Sequence, residues 1–221
     1  MGKGRKTLRF VRECKENVAG DWQKILTHPF LIELSRGVLP RGRFDYYLSQ
    51  DDYYLEDLLS TLGILVAKSS GAVKDFAIRL LYETLQGEVA MHETIAREGG
   101  KRFFPKGEVA SVYGDFLLRT AYQGDSLDIL VVLCPCFLSY KEIGEQFFPQ
   151  VARDIPSVYL FWLGSYASES YGKITDELLV HLEEKARGIS EARRKRCFAL
   201  FQRATWLEYR FWQESYEIGL E

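Results

Sequence analysis

The sequence LCPCFLSYKEIGE, residues 133–145, carries apolar side chains at the three- and four-residue steps of an α-helix. With the flanking residues, the stripe comprises Ile129, Leu133, Cys136, Tyr140, Ile143 and Phe147. Pro135 removes one backbone hydrogen bond and crowds the carbonyl of Val131, which predicts a kink. A thiol and a phenol facing inward beside a kink favour the wall of a pocket over packed core.

The rest of the chain is also dominated by helical periodicity, and no stretch alternates with the period of a β-strand. We predict a first helix over about residues 7–26 and a short second helix that begins at Pro29. Further helices are predicted near residues 43–68, 71–98, 108–122, 126–147, 157–171, 173–187 and 190–216. The predicted fold is therefore all-α, a single-domain multi-helix bundle of about eight to ten helices over residues 1–221.

The overall charge gives no reason to expect a nucleic-acid partner, because 29 basic residues nearly balance 31 acidic ones. The basic residues near the start (Lys3, Arg5, Lys6, Arg9) read as a solvated helix face. No window of 18 apolar residues and no signal-peptide pattern occurs. We therefore expect a cytoplasmic protein with no membrane partner.

The four cysteines, Cys14, Cys134, Cys136 and Cys197, contain no C-x-x-C pair, so a zinc or thioredoxin-type site is not indicated. Cys134 and Cys136 point in different directions on one helix and are not expected to bridge each other. A disulfide between Cys14 and Cys197 is left open at this stage.

Three predicted helices each place an ionisable group within an apolar stripe: Asp51, Cys136 and Glu208. Asp52 lies about 100° around the helix from Asp51, and we expect it to face solvent. Singly, such a cysteine or tyrosine is typical of a packed core, and an inward carboxylate is equally consistent with a structural ion pair. Together with the inward tyrosines, they are the components of covalent catalysis on a flat heteroaromatic substrate.

A metal site is the competing interpretation, because Glu88 and His92 lie four residues apart on one helix face, as do Glu177 and His181. Carboxylate-bridged di-iron sites use Glu-x-x-His, which neither pair matches. We therefore expect no metal, and a local hydrogen bond between Glu88 and His92.

At this point the sequence resembles the TenA or thiaminase II family, which has a heme-oxygenase-like fold. The matching segments are HPF at 28–30 with LP at 39–40, YYLSQDDYYL at 46–55, EVAMHE at 88–93, CPC at 134–136 with YKEIGE at 140–145, WLGSY at 162–166 and EYRFW at 208–212. The segments span most of the chain in the order that the family shows. One departure is CPCFL at 134–138, where family members often have an LPCYW-type run.

The resemblance implies hydrolysis of aminopyrimidines in thiamin salvage, in which 4-amino-5-aminomethyl-2-methylpyrimidine and water give hydroxymethylpyrimidine and ammonia, with thiamin as a further substrate. By position, Cys136 would be the nucleophile, Glu208 the general acid, and Tyr54 the group that raises the nucleophilicity of Cys136. Asp51 would bind the aminopyrimidine edge. The residues that would line or stack on the ring are Tyr113, Tyr140, Tyr166 and Phe211. A homotetramer without cofactors is also implied.

Two other functions remain open from the sequence: a non-catalytic pyrimidine-binding or regulatory protein on the same fold, and a metal oxidase. The chemistry of the stripes agrees with the hydrolase. An apolar environment raises the pKa of a carboxyl group, which suits Glu208 to donating a proton near neutrality. The same environment raises the pKa of Cys136, so we expect a phenol donor to support its thiolate.

Overall fold

The protein is predominantly helical. The structure, a computed structural model, describes residues 8–218 apart from the side chains of residues 98 and 99. The α-helices are α1 (Arg9–Asn17), α2 (Ala19–Leu26), α3 (Pro29–Ser35), α4 (Arg41–Lys68), α5 (Gly71–Thr84), α6 (Ala90–Gly99), α7 (Glu108–Gln123), α8 (Ser126–Phe147), α9 (Ser157–Tyr166), α10 (Glu169–Lys185) and α11 (Glu191–Ile218). The all-α prediction is confirmed. The predicted helix start at Thr7 and the basic residues Lys3, Arg5 and Lys6 lie outside the described residues.

The first predicted helix is divided in two at Val18. This residue leaves the helical conformation, with φ −122° and ψ 18°, and its N–H donates to Lys15 O at 3.1 Å. The chain resumes a helix at the next residue, and Trp22 and Ile25 are buried as the periodicity predicts.

The helix predicted over residues 71–98 is continuous but contains a π-helical turn, Leu85–Val89, between α5 and α6. Such turns insert one extra residue per turn and occur often at functional sites. The turn carries Glu88, and the α6 segment that follows carries His92.

The boundary between α9 and α10 was predicted at Gly172, which is wrong. The break lies at Ala167 and Ser168, where the Ser168 hydroxyl caps α10 by accepting a hydrogen bond from Tyr171 N at 3.2 Å. Gly172 lies inside α10. A serine N-cap therefore determines the helix start here, and the glycine is tolerated within the helix.

Helix α8 is the centre of the fold, and residues 126–140 along it are all buried. Helices α9, α10 and α11 pack against it, while α4 packs on α5, α7 and α11. A capping box at Asp125 and Asp128 begins α8, and the helix then runs through Pro135 without interruption. The inner faces of α4, α7, α8, α9 and α11 thus surround one region of the core.

The four cysteines are buried and free, so Cys14 and Cys197 form no disulfide. Among the described residues, no helix combines the length and the apolar character needed to cross a bilayer.

Candidate active site

All eight residues predicted for the site are buried, and their contacts join them into one cluster. They are Asp51 and Tyr54 on α4, Tyr113 on α7, Cys136 and Tyr140 on α8, Tyr166 on α9, and Glu208 and Phe211 on α11. The cluster is therefore assembled from five helices, each of which contributes its inward stripe.

Glu208 is 3% exposed, and its Oε1 accepts a hydrogen bond of 2.5 Å from the Tyr113 hydroxyl. Burial raises the pKa of Glu208 to about 8; the Tyr113 hydrogen bond opposes this rise, whereas the negative charge of Asp51 adds to it. The neighbouring Cys136 thiol also favours the carboxylate form. Glu208 therefore exchanges its proton in the neutral pH range, as the sequence predicted.

Cys136 lies on the inner face of α8 and is 6% exposed. Burial raises the pKa of its thiol well above the ordinary value, and the charges of Glu208 and Glu88 add to this effect, while the Tyr54 hydroxyl favours the thiolate. A nucleophilic thiolate at this position consequently needs a base to remove the proton. Cys134 faces Cys14 and Lys15 on the opposite side of α8, as predicted.

The Tyr54 ring packs beside the Tyr113 and Phe211 rings, with centroid distances of 4.8 Å and 6.1 Å. Its hydroxyl is buried and has no partner in good hydrogen-bond geometry within the described residues. An unpaired buried hydroxyl is unfavourable, so a group that enters the site gains a donor there.

Tyr47, to which the sequence assigned no role, connects the two halves of the cluster. Its hydroxyl lies 3.0 Å from the Tyr140 hydroxyl and donates to Asp51 Oδ2 at 3.1 Å. The Tyr140 ring in turn packs on Tyr166 at 4.7 Å between centroids. Tyr47 belongs to the same inward stripe of α4 as Asp51, one turn earlier, and that spacing is the signal that identifies it.

The Asp52 side chain is 38% exposed, in line with the predicted solvent-facing position, but two cations from elsewhere in the chain also contact it. His92 Nδ1 lies 2.7 Å from Asp52 Oδ1, and Lys101 Nζ bonds to Asp52 Oδ2. Partial burial works against its ionised form, but these two bonds hold the pKa of Asp52 below its ordinary value. Helix periodicity could not predict these two partners, because it does not describe the α6 and loop residues that approach this face.

His92 is also 3.1 Å from Asp51 Oδ2 through Nε2, so it bridges Asp51 and Asp52. The predicted hydrogen bond between Glu88 and His92 is therefore replaced by bonds to the aspartates. The second pair that we considered for metal binding, Glu177 and His181, is separated by 3.7 Å. Within the described part of the chain, no group of three or more His, Cys, Asp or Glu side chains is arranged to hold a metal ion.

A cavity of about 270 Å³ adjoins the cluster at Tyr166, and Glu88 also lines it. Residues of α5, the π-helical turn, α6, α8, α9 and α10 line this cavity, and Cys136, Asp51 and Glu208 are not among them. Burial raises the pKa of Glu88 to about 8, and the charge of Asp51 adds to the rise. Sequence reasoning missed Glu88 as part of the site; its spacing from His92 was the available signal.

Comparison with known proteins identifies the family of the chain. The profile of the TENA/THI-4/PQQC family matches residues 15–218. The chain belongs to this family. A relative within it is the aminopyrimidine aminohydrolase of Bacillus subtilis (strain 168), which is 28% identical over 221 residues, covering 95% of this chain and 90% of the relative.

Solved structures of TENA/THI-4/PQQC relatives and of more distant proteins share the fold. A TenA homologue from P. horikoshii OT3 is 27% identical and superposes with a TM-score of 0.83 over 94% of this chain and 98% of that one. A domain with a heme oxygenase-like fold from Shewanella denitrificans OS217 is 13% identical, with a TM-score of 0.71 over 94% and 92%. The predicted heme-oxygenase-like fold and the resemblance to the TenA family are both confirmed.

Proposed function

We propose that the protein hydrolyses aminopyrimidines in thiamin salvage, converting 4-amino-5-aminomethyl-2-methylpyrimidine and water into the hydroxymethylpyrimidine and ammonia. Family membership and the aminopyrimidine aminohydrolase among the relatives support the reaction class. The observation that carries the proposal is the junction of Cys136, Glu208 and Tyr113, a buried thiol beside a buried carboxyl group with a raised pKa. These are the groups that a covalent displacement requires.

In the first step, the ionised form of Glu208 accepts the Cys136 proton. The sulfur adds to the unsubstituted ring carbon next to the carbon that bears the aminomethyl group. The electron pair displaced onto the carbon that bears the aminomethyl group then expels the amine, which takes its proton from Glu208. Ammonia leaves, and the exocyclic carbon becomes a methylene bonded to the ring by a double bond. Glu208 thus acts first as a base and then as an acid, which a pKa near neutrality allows.

In the second step, water adds to the exocyclic methylene and gives its proton to Glu208. The carbon–sulfur bond then breaks and the aromatic ring is restored. The Cys136 sulfur takes its proton back from Glu208. The sum of the two steps is replacement of the amino group by hydroxyl, with no net change in the enzyme. Tyr54 supports the thiolate, because its hydroxyl is free of well-aligned partners and favours the ionised sulfur.

The remaining residues of the cluster bind the ring. Asp51 accepts hydrogen bonds from the aminopyrimidine edge, since its carboxylate is buried at the end of the cluster nearest Tyr140 and Tyr166. The aromatic residues that would stack on or enclose the pyrimidine are Tyr113, Tyr140, Tyr166 and Phe211.

We also infer a homotetramer from the resemblance. Several aromatic side chains on the surface support assembly, among them Phe103 and Tyr122, which are 78% and 71% exposed. Light scattering should then give about four times the chain mass of 25.5 kDa. The cytoplasmic location remains a prediction of the sequence.

The test is ammonia release from the aminomethylpyrimidine by the wild type, Cys136→Ser and Cys134→Ser, without added metal. We expect turnover in the wild type and in Cys134→Ser, because Cys134 is a buried cysteine on the opposite face of the same helix. Cys136→Ser should bind the pyrimidine product without turnover. Activity retained in Cys136→Ser would reject the nucleophile, and binding without turnover in the wild type would favour a pyrimidine-binding protein. Thiamin cleavage, assayed in parallel, measures the second substrate.

A further inference from the structure

The E-x-x-x-H segment has so far received no part in the proposed reaction, yet His92 has unusual neighbours. The imidazole on α6 is 4% exposed and lies between the carboxylates of two successive residues of α4. Nδ1 is 2.7 Å from Asp52 Oδ1, and Nε2 is 3.1 Å from Asp51 Oδ2. Nε2 has no better-aligned partner among the described residues, so its contact with Asp51 is an ion pair by distance.

A second cation lies behind this bridge. Lys101 Nζ pairs with Asp52 Oδ2 and also donates to Leu48 O at 3.0 Å, and the Lys101 side chain is only 2% exposed. The four groups alternate in sign from Asp51 through His92 and the partly exposed Asp52 to Lys101, so each charge has a partner. Burial disfavours the imidazolium, but the two aspartates outweigh it and raise the pKa of His92 to about 9.

Asp51 stands at the inner end of this row of four charged groups, and its two carboxylate oxygens have different surroundings. Oδ2 accepts a hydrogen bond of 3.1 Å from the Tyr47 hydroxyl and lies 3.1 Å from His92 Nε2, an ion-pair contact. Oδ1 makes no hydrogen bond to any residue within 8–218. The bridge therefore fixes the orientation of the carboxylate and leaves one acceptor atom for a donor that enters the site.

We propose that His92 is a positioning residue for Asp51, anchored in turn by Asp52 and Lys101, and that Asp51 presents Oδ1 to an N–H of the substrate amino group. This inference rests on the proposed aminopyrimidine substrate. Without His92, Asp51 would be a buried carboxylate with no cation beside it, and the contact that fixes the orientation of Oδ1 toward the substrate would be lost.

The bridge itself can be tested without a substrate, because the chain has three histidines, His28, His92 and His181. Proton–nitrogen NMR of the imidazoles, assigned with single His→Gln variants, reports the protonation of each. We expect His92 to remain protonated at neutral pH and to titrate lower by about one unit or more in Asp52→Asn. The other ionisable groups near it, Glu88, Glu56 and Glu93, stay in place in that variant. Titration of His92 near its ordinary value in the wild type would overturn the bridge.

The role of the bridge is tested by a double-mutant cycle on the affinity for 4-amino-5-hydroxymethyl-2-methylpyrimidine. His92→Gln should weaken binding by about tenfold or more, because it removes a buried charged partner. In the Asp51→Asn background, the same change should have less than about a twofold effect. Equal losses in both backgrounds would show that His92 does not act through Asp51, and would reject the proposal.

His181→Gln is the matched control, since His181 is buried against the Phe76 ring, 4.8 Å between centroids, and does not belong to the cluster. Its pyrimidine affinity should equal that of the wild type. If His92→Gln does not fold, Lys101→Met provides a milder test, with a smaller loss of affinity expected and an unchanged affinity counting against the proposal. A wild type that shows the bridged His92 but binds no pyrimidine would instead reject the proposed function.

Discussion

The Tyr113 hydroxyl donates a hydrogen bond of 2.5 Å to Oε1 of Glu208 and so joins α7 to α11 inside the cluster. The bond stabilises the ionised carboxylate and lowers a pKa that burial raises to about 8. In the proposed reaction, Glu208 must be ionised to accept the Cys136 proton. The rate should therefore rise with pH up to about 8, and Tyr113 determines where that rise occurs.

We predict that Tyr113→Phe moves the rising limb of the pH–rate profile to higher pH. Loss of a hydrogen bond to a charged group corresponds to a shift of about one pH unit. The measurement is kcat/KM for ammonia release as a function of pH. Tyr159→Phe is the control, because the Tyr159 hydroxyl is also buried but donates to Leu39 O at 2.9 Å, away from the cluster. A shift in both variants, or in neither, would contradict the role of Tyr113.

Glu208→Gln should lower kcat by about 10²- to 10⁴-fold, the usual effect of losing a general acid–base group. Glu214→Gln provides the comparison on the same helix. Glu214 is buried, but it accepts hydrogen bonds from the Tyr46 hydroxyl at 3.0 Å and from Val109 N at 3.2 Å. We expect Glu214→Gln to lose stability and to retain kcat. Comparable turnover in the two variants would exclude Glu208 as the acid–base group.

Glu208→Gln should also stabilise the protein at alkaline pH. Because the pKa of Glu208 is about 8 in the folded state and near 4.5 in the unfolded state, the folded state binds more protons between these values. The free energy of unfolding therefore falls as pH rises through that window, by up to about 1.4 kcal/mol per unit of pKa difference. Denaturant unfolding at about pH 5 and about pH 8 should show that Glu208→Gln gains stability over the wild type mainly at the higher pH. An equal difference at both values would contradict the raised pKa.

Gly144 and Gly63 offer a matched pair of glycine-to-alanine changes within helices. A Cβ at Gly144 would lie 2.5 Å from the Tyr166 carbonyl carbon, whereas a Cβ at the exposed Gly63 meets nothing within 4 Å. We predict that Gly144→Ala forces α9 away from α8, which costs about 1–3 kcal/mol and weakens pyrimidine binding by moving Tyr166. Gly63→Ala should stabilise α4 by about 0.5–1 kcal/mol. Thermal unfolding and pyrimidine affinity are measured for both variants. Unchanged binding in Gly144→Ala would show that Tyr166 does not contribute to pyrimidine binding.

Much of the site was accessible from sequence because its residues lie in inward helix stripes. Asp51, Cys136 and Glu208 each interrupt an apolar face, and that pattern depends only on spacing along one helix. Their roles came from the family resemblance, since periodicity does not assign chemistry. The places of Tyr47 and Glu88 beside the site were not predicted. The contacts of Tyr47 depend on a neighbour from another helix, and the position of Glu88 depends on the π-helical turn.

The sequence by itself determined the helical class, most helix boundaries and the faces that are buried, because these depend on interactions three or four residues apart. Only the tertiary structure decided which side chains the buried polar groups contact. Asp52 meets Lys101 from 49 residues away, and Glu208 meets Tyr113 from 95 residues away. Spacing within a helix indicates that a side chain points inward, but not which charge or hydroxyl lies opposite. That depends on how distant helices pack, which brings the histidine beside the candidate active site against an aspartate that is otherwise open to solvent.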